Sequence, residues 1–274
     1  MAALSRIVPA SNAGWPDLVD EFDRWQEVGR VAALWWRDDD AVAASFALDR
    51  LIAIAGAVPV ALAVIPGMVQ PELAMWFSRS SAGSALGPRV AVLQHGWRHS
   101  NHSPDAKKSE FPAARRATEV AAELAAGRAR LRELFGMRAL PVLVPPWNRF
   151  DDCFLPLLLG CGMYAISRTS PRRRSWPVPG VFEANIHVDL VAWAGDRGFV
   201  GEATALGGLI AHLRARRLGM AAADEPTGIL THHLVQDERV ETFLSQLFDV
   251  TGAHDAARWL HATEVFAPAM PVAQ

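Results

Sequence analysis

The chain has 274 residues, of which 51% are hydrophobic and 20% are charged, and its formal net charge is −2 at pH 7. A chain of this size and composition can bury a large core in one domain, and we expect residues 1–274 to form a single domain whose motif-bearing core spans about 31–250. The near-neutral charge excludes the strong basic field that would gather nucleic acid or bind acidic membranes.

The N-terminal segment has neither a basic stretch nor an apolar run of signal-peptide length, so we expect a cytoplasmic protein. The apolar stretch 51–67 is about long enough to cross a bilayer. However, Gly56, Pro59 and Pro66 would interrupt a continuous helix there. We therefore expect no membrane span, but the end of a helix, a turn at Gly56 and a buried strand.

Short apolar runs alternate with amphipathic patterns along the chain. The predicted strands are 31–37, 58–65, 90–94, 140–144, 164–167, 186–193 and 228–231. The predicted helices are 45–55, 71–78, 112–135, 150–159, 202–217 and 239–248. This alternation predicts an α/β fold with a parallel sheet, and about seven strand–helix units favour a closed or nearly closed barrel.

Two smaller features carry expectations of their own. Cys153 and Cys161 flank an apolar run and fit no metal or disulfide pattern, so we expect ordinary core thiols on a buried helix. The basic run 172–174 predicts a solvated loop, and the alternative is a rim that meets an anionic substrate.

Four predicted strands end, on their carboxyl side, in unusual polar residues. These are 38–40 after the first strand, His95 and His99 after the third, 146–149 after the fourth, and 232–233 after the last. The carboxyl ends of the strands of a parallel barrel share one face, which is where such folds build active sites. We therefore expect these residues to converge on one cleft.

The aspartates and histidines together indicate a metal site. Three adjacent carboxylates repel one another unless a positive charge lies between them. Two neutral imidazoles and one carboxylate commonly bind Zn²⁺, Co²⁺ or Ni²⁺ with positions left open for water. The alternatives are a solvated turn for the aspartates and a surface loop for the histidines.

Five motifs in chain order resemble those of the polysaccharide deacetylase family, whose catalytic domain is called NodB-type. They are "DDDA", "HGWRH", "PPWN", "HVDLVAW" and "ILTHH", and they extend over roughly residues 31–233. The resemblance implies a distorted (β/α) barrel with fewer than eight units. It also implies metal-dependent removal of an N-acyl group, such as acetyl, from a sugar.

The resemblance assigns a role to individual residues. It makes Asp40, His95 and His99 the ligands of one divalent ion, most simply zinc, with cobalt or nickel as alternatives. Asp39 becomes the catalytic base and His232 the acid. The residues implied in binding the N-acylated carbohydrate are Trp97, Pro146, Trp147 and Asn148.

The aspartate triplet allows two registers, because the family has two aspartates where this chain has three. In the earlier register Asp38 would be the base and Asp39 the ligand. We favour the later register, because Ala41 then occupies the position of a small glycine in the family. His102 is an additional histidine, and His233 stands where the family often has aspartate.

Val144 stands where the family motif has an arginine, so Arg37 or Arg149 would have to supply that cation. Its absence favours an alternative function, a catalytically inactive carbohydrate-binding or regulatory protein with the same fold. A second alternative is a deacylase of a non-sugar amide. Four tryptophans near the motifs could stack on a sugar ring or pack in the core, namely Trp36, Trp97, Trp147 and Trp193.

Overall fold

The computed structural model describes residues 12–81, 89–194 and 197–270. Within these ranges one sheet contains nine strands. They are β1 (Ala32–Ala41), β2 (Val60–Val64), β3 (Val90–His95), β4 (Ala139–Val144), β5 (Ala165–Ile166), β6 (Phe182–Glu183), β7 (Val188–Asp189), β8 (Thr227–Thr231) and β9 (Ala257–Trp259). The helices are α1 (Trp15–Glu27), α2 (Phe46–Ala55), α3 (Pro71–Ser81), α4 (Ala117–Phe135), α5 (Leu157–Gly160), α6 (Glu202–Arg217), α7 (Glu238–Gly252) and α8 (Ala262–Val265).

The sheet curls into a distorted barrel. Its strand order is β6-β5-β4-β3-β2-β1-β8-β7, with β9 beside the start of β1, and neighbouring strands are parallel. The segment between β6 and β7 closes the barrel. The Ile186 N–H donates a hydrogen bond to the Arg168 carbonyl on one side, and the His187 N–H donates to the Gly228 carbonyl on the other. The predicted fold class is confirmed, with nine strands where about seven were expected.

Alternation along the strands separates two cores. Successive side chains of a strand point to opposite faces, so Trp35 points into the barrel while Leu34 and Trp36 pack against the outer helices. On the last motif strand, Leu230 points inward and Ile229 outward. The same alternation decides which polar residues at the strand ends face the barrel mouth.

Several element predictions were wrong. Helix 150–159 is replaced by a short 3₁₀ turn at Asp152–Phe154 and the single turn of α5, because Pro156 lies between them. Strand 186–193 is reduced to the two residues of β7. Predicted helix 112–135 begins at Ala117.

Helix α1 was not predicted, although its sequence carries a helical pattern. Leu18, Phe22 and Trp25 recur at helical spacing and are buried, and Pro16 lies in the first turn, where proline is tolerated.

Two smaller predictions also need correction. Cys153 is exposed at the start of the 3₁₀ turn, whereas Cys161 is buried as expected. Arg172 is buried rather than solvated, since its guanidinium donates to the Glu183 carbonyl and pairs with Asp224. Arg173 and Arg174 are exposed.

No helix in the described parts of the chain is both long enough and apolar enough to cross a membrane.

Candidate metal centre and catalytic cleft

The carboxyl end of β1 presents its polar residues in two directions. Arg37 and Asp39 lie on the inward side with Trp35, and the Arg37 guanidinium binds both carboxylate oxygens of Asp39, at 2.8 and 3.0 Å. Its remaining donors reach the Ser167 hydroxyl and carbonyl and the Asn148 side-chain oxygen. A bidentate guanidinium–carboxylate pair fixes the orientation of the carboxylate, so Asp39 is held by an arginine of its own strand.

Asp38 faces away from the barrel interior. Its carboxylate accepts hydrogen bonds from the Thr231 hydroxyl at 2.6 Å and from the His233 backbone at 3.0 Å, and it contacts the His233 imidazole. Burial lowers the pKa of His233, but the charge and hydrogen bond of Asp38 outweigh it and leave the pKa raised. Asp38 and His233 therefore form an enclosed pair between β1 and β8.

Asp40, His95 and His99 form a potential ligand set. Oδ1 of Asp40 lies 3.1 Å from Nε2 of His95 and 3.4 Å from Nε2 of His99. Ligand atoms about 2.1 Å from a shared tetrahedral ion would be about 3.4 Å apart. Asp40 Oδ1 is buried, and no donor in the described residues hydrogen-bonds to it. The three side chains therefore fit a divalent cation.

The orientation of His95 is consistent with ligation. Nδ1 of His95 lies 3.0 Å from the Val144 carbonyl, which can only accept, so in the neutral ring Nδ1 carries the proton and Nε2 has a lone pair for a metal. Burial lowers the pKa of His95, but contact with Asp40 and the nearby carboxylate charges leave it raised, so a cation would displace a proton from Nε2. Burial would raise the pKa of Asp40, but contact with His95 and the charges of His95 and His99 lower it. Burial and the nearby His95 lower the pKa of His99, which favours the neutral imidazole that a metal binds.

A buried glutamate shapes the loop that carries His99. The Glu110 carboxylate accepts hydrogen bonds from the backbone N–H groups of Trp97, Arg98 and Ser100. The loop starts at Gly96 with φ of +57°, where a Cβ would lie 1.9 Å from a Glu110 oxygen. Glycine is therefore required at this position, and Glu110 determines the path between the two histidines.

The cleft also concentrates unusual backbone. Among the described non-glycine residues, six have positive φ, and all of them line the cleft or the cavity next to it. They are Asp40, His99, Trp147, Asn148, Ser170 and Arg197. Such residues persist where surrounding contacts hold them, and they cluster at functional sites.

The cleft has a volume of about 780 Å³ at the barrel mouth. The potential ligands and Asp39 line it together with His232, Asp189 and Trp193. The His232 and Trp193 rings meet edge-on, with their centres 4.6 Å apart. Burial raises the pKa of Asp189, whose carboxylate accepts hydrogen bonds from the Val191 backbone and the Trp193 indole. Nδ1 of His232 is buried, with no hydrogen-bond partner in the described residues.

Two of the four predicted sugar-contacting residues line the cleft. Trp147 and Asn148 line the cleft, and the Trp147 ring lies 4.3 Å from that of His99. Trp97 and Pro146 are not among the described residues that line it. Trp36 is a core residue whose indole donates to Thr231.

Two predicted alternatives can now be compared. Arg149 lies at the exposed edge of the cleft and donates to the Lys108 carbonyl, so Arg37 is the arginine that contacts Asp39. His102 is exposed and does not belong to the potential ligand set.

Sequence analysis missed Glu110 and gave Asp189 no role of its own. Glu110 follows Trp97 by 13 positions in a stretch without local periodicity, so nothing in the sequence connects the two. Asp189 lies within the motif "HVDLVAW", and its position there was the available signal.

A second group of potential ligands, His187, His212 and Glu225, lies in the interior. The Gly228 N–H donates to Nδ1 of His187, so a neutral ring carries its proton on Nε2. A metal at Nε2 would require that proton to leave the ring or to move to Nδ1, where it would displace the hydrogen bond from Gly228. We therefore interpret the group as a buried polar network, in which burial keeps the pKa of both histidines well below the usual value.

Comparison with known proteins agrees with this architecture. No protein-family model and no curated protein matches the sequence. The structure is similar to that of a Mycobacterium smegmatis protein classed as a polysaccharide deacetylase, with a TM-score of 0.63 and 17% identity over 96% of this chain and 94% of that one. It is also similar to the chitin deacetylase of the fungal pathogen Colletotrichum lindemuthianum, with a TM-score of 0.51 and 14% identity over 86% and 88% of the two chains. The chain therefore has the fold of the NodB-type polysaccharide deacetylases, which its five motifs predicted.

Proposed function

We propose that this protein is a metal-dependent hydrolase that removes an N-acetyl group from a carbohydrate. One observation carries the proposal: the ligand set of Asp40, His95 and His99 shares a cleft with Asp39 and His232. The resemblance at the level of fold supports it. Zinc is the proposed ion, with cobalt and nickel as alternatives, because imidazole and carboxylate ligands suit all three.

When bound, the cation would polarise the acyl carbonyl and acidify a water molecule. Asp39 is proposed to accept the proton of that water, since its carboxylate is oriented by Arg37 toward the cleft. His232 is proposed to protonate the departing amine, because an amine leaves poorly as an anion. Trp147 offers an aromatic surface beside His99 on which a sugar ring could stack.

The structure favours the later register of the aspartates. Among the described residues, the hydrogen-bond partners of the Asp38 carboxylate belong to β8 or lie just after it, and Asp38 is not among the described residues that line the cleft. Asp39 and Asp40 both line it. We therefore propose Asp39 as base and Asp40 as ligand.

The contact between Arg37 and Asp39 also weakens the case for an inactive binding protein. That alternative depended on Val144 in the place of the family's arginine. Arg37 brings a guanidinium to the Asp39 carboxylate from β1 rather than from β4, the strand of Val144. Retention of catalysis is therefore the better proposal.

The test combines metal content with acetate release from a panel of N-acetylated sugars. We expect His99→Ala to lose the metal, whereas His102→Ala, a matched control in the same segment, should retain it. Asp40→Asn should lose the metal, while Asp39→Asn should retain it and lose turnover. Full metal occupancy in His99→Ala would contradict the ligand set, and a metal-loaded wild type that is inactive on every sugar and on non-sugar amides would favour a binding protein.

A further inference from the structure

The exposed charged residues that line the cleft in the described parts of the chain all have one sign. Among the described ionisable residues that line it, the exposed ones are Lys108, Arg149 and Arg197, and all are basic. Lys108 lies 6.0 Å from the centre of the Trp147 ring, which itself contacts His99. Arg149 donates to the Lys108 carbonyl and so lies beside it. We call these three residues the basic rim.

The acidic residues of the cleft do not neutralise the basic rim. Asp39 is buried and bound to Arg37, and Asp40 lies among the potential metal ligands. The Asp189 carboxylate accepts hydrogen bonds from the Val191 backbone N–H and the Trp193 indole. In the described parts of the chain, none of these carboxylates forms an ion pair with the rim.

A second cavity extends this basic surface. It shares Asn148 and Thr169 with the cleft, and its lining includes Arg173 and Arg174. Both are exposed, and no ion pair connects them to other described residues. The acidic residues of that cavity are already engaged, since Asp152 and Glu183 bind Arg168 and Asp151 caps the 3₁₀ turn. The positive charge therefore continues from the cleft along one side.

We propose that the substrate is an acylated sugar that also carries an oxyanion, a carboxylate or a phosphate, which binds at the basic rim. This inference rests on the proposed deacetylase function and specifies its substrate class. Guanidinium groups bind planar or tetrahedral oxyanions through paired N–H donors, and an ammonium group adds a point charge. Like-signed charge around a cleft also attracts the oppositely charged ligand.

The experiment compares a neutral sugar with two anionic ones on the zinc-loaded protein. The probes are N-acetylglucosamine, N-acetylglucosamine 6-phosphate and N-acetylmuramic acid, which separate phosphate from carboxylate. We expect kcat/KM to be higher for an anionic sugar, and added salt to reduce this preference because it screens exposed charges.

Charge-reversal variants then locate the anion. Lys108→Glu and Arg197→Glu should each raise KM for the preferred anionic sugar by about 2- to 5-fold, the size expected of an exposed charge pair, and by less for the neutral sugar. Lys107→Glu is the matched control, since Lys107 is exposed and adjacent but does not line the cleft. It should leave KM unchanged.

Two results would overturn the inference. The first is equal kcat/KM for the neutral and anionic sugars, and the second is an equal effect of Lys107→Glu and the rim variants. If no sugar is hydrolysed, calorimetry with glucosamine, glucosamine 6-phosphate and muramic acid still tests the basic rim. Tighter binding of either anionic sugar that is lost in the rim variants supports the inference. Equal binding of all three refutes it, independently of whether the protein is a deacetylase.

Discussion

The ion pair of Arg37 and Asp39 should be one of the most sensitive points of the fold. Both side chains are almost completely buried, at 0% and 2% exposure, and they share two hydrogen bonds. Arg37→Met removes the charge but keeps much of the side-chain volume. The Asp39 carboxylate would then lose its cation in a buried position, and Asn148 and Ser167 would lose a donor. We expect the free energy of unfolding to fall by about 3–5 kcal/mol, the usual cost of breaking a buried pair from one side.

Urea unfolding followed by tryptophan fluorescence measures this loss. The assay uses metal-free protein in chelator, because a bound ion would add its own stabilisation. Arg116→Met is the matched control, since Arg116 pairs with Glu119 on the surface at 80% exposure, where such pairs contribute about 1 kcal/mol or less.

A double variant separates the ion pair from general packing. If the uncompensated charge causes the loss, Arg37→Met with Asp39→Asn should lose less stability than the two single losses added together. Additive losses, or an Arg37→Met loss no greater than that of Arg116→Met, would refute the reasoning. The loss of stability in Arg37→Lys should lie between those of Arg37→Met and Arg116→Met, because lysine keeps the charge but cannot form the bidentate contact.

Three further outcomes are expected. His232→Ala should keep its metal and lose about 10²- to 10⁴-fold in acetate release, as for the loss of a general acid, and an unchanged rate would remove it from the mechanism. His233→Gln should reduce the pH dependence of the free energy of unfolding. The pKa of His233 is raised in the folded state, so its pairing with Asp38 stabilises the fold fully below the ordinary histidine pKa of the unfolded chain. This stabilisation is lost as pH rises through the pKa of the folded state. Urea unfolding of the metal-free proteins at acidic and alkaline pH would show this as a smaller loss in the variant, and equal losses would contradict it. Gly96→Ala should destabilise the protein and weaken metal retention, because the new Cβ would collide with Glu110 and Pro146, and a variant with wild-type stability and metal content would show that the loop can shift.

The positions of the polar residues could be predicted because parallel strands share one carboxyl edge. Because successive residues of an extended chain point to opposite faces, Leu230 and His232 share the inner side at the end of β8. The structure accordingly places His232 in the cleft and His233 against Asp38. These are local rules of strands, which the sequence expresses directly.

Long-range choices could not be predicted in the same way. Which arginine would reach Asp39 was left open between Arg37 and Arg149, because the answer depends on the direction in which each side chain leaves its element. Glu110 illustrates the same limit, since it acts on backbone donors that carry no residue-specific signal. The pairing of β7 likewise depends on its neighbour β8, and that of the preceding Ile186 depends on the segment around Arg168, rather than on their own sequence pattern.

The left-handed residues around the cleft imply a trade-off between durability and activity. Each non-glycine residue in this backbone region costs on the order of 1 kcal/mol relative to glycine. Substitution of Arg197 by glycine should therefore make the protein more resistant to heat while removing a charge from the cleft. The same exchange at Trp147 would remove the aromatic surface beside His99. Selection for thermal stability alone should favour glycine at these positions and should erode the site as it does so.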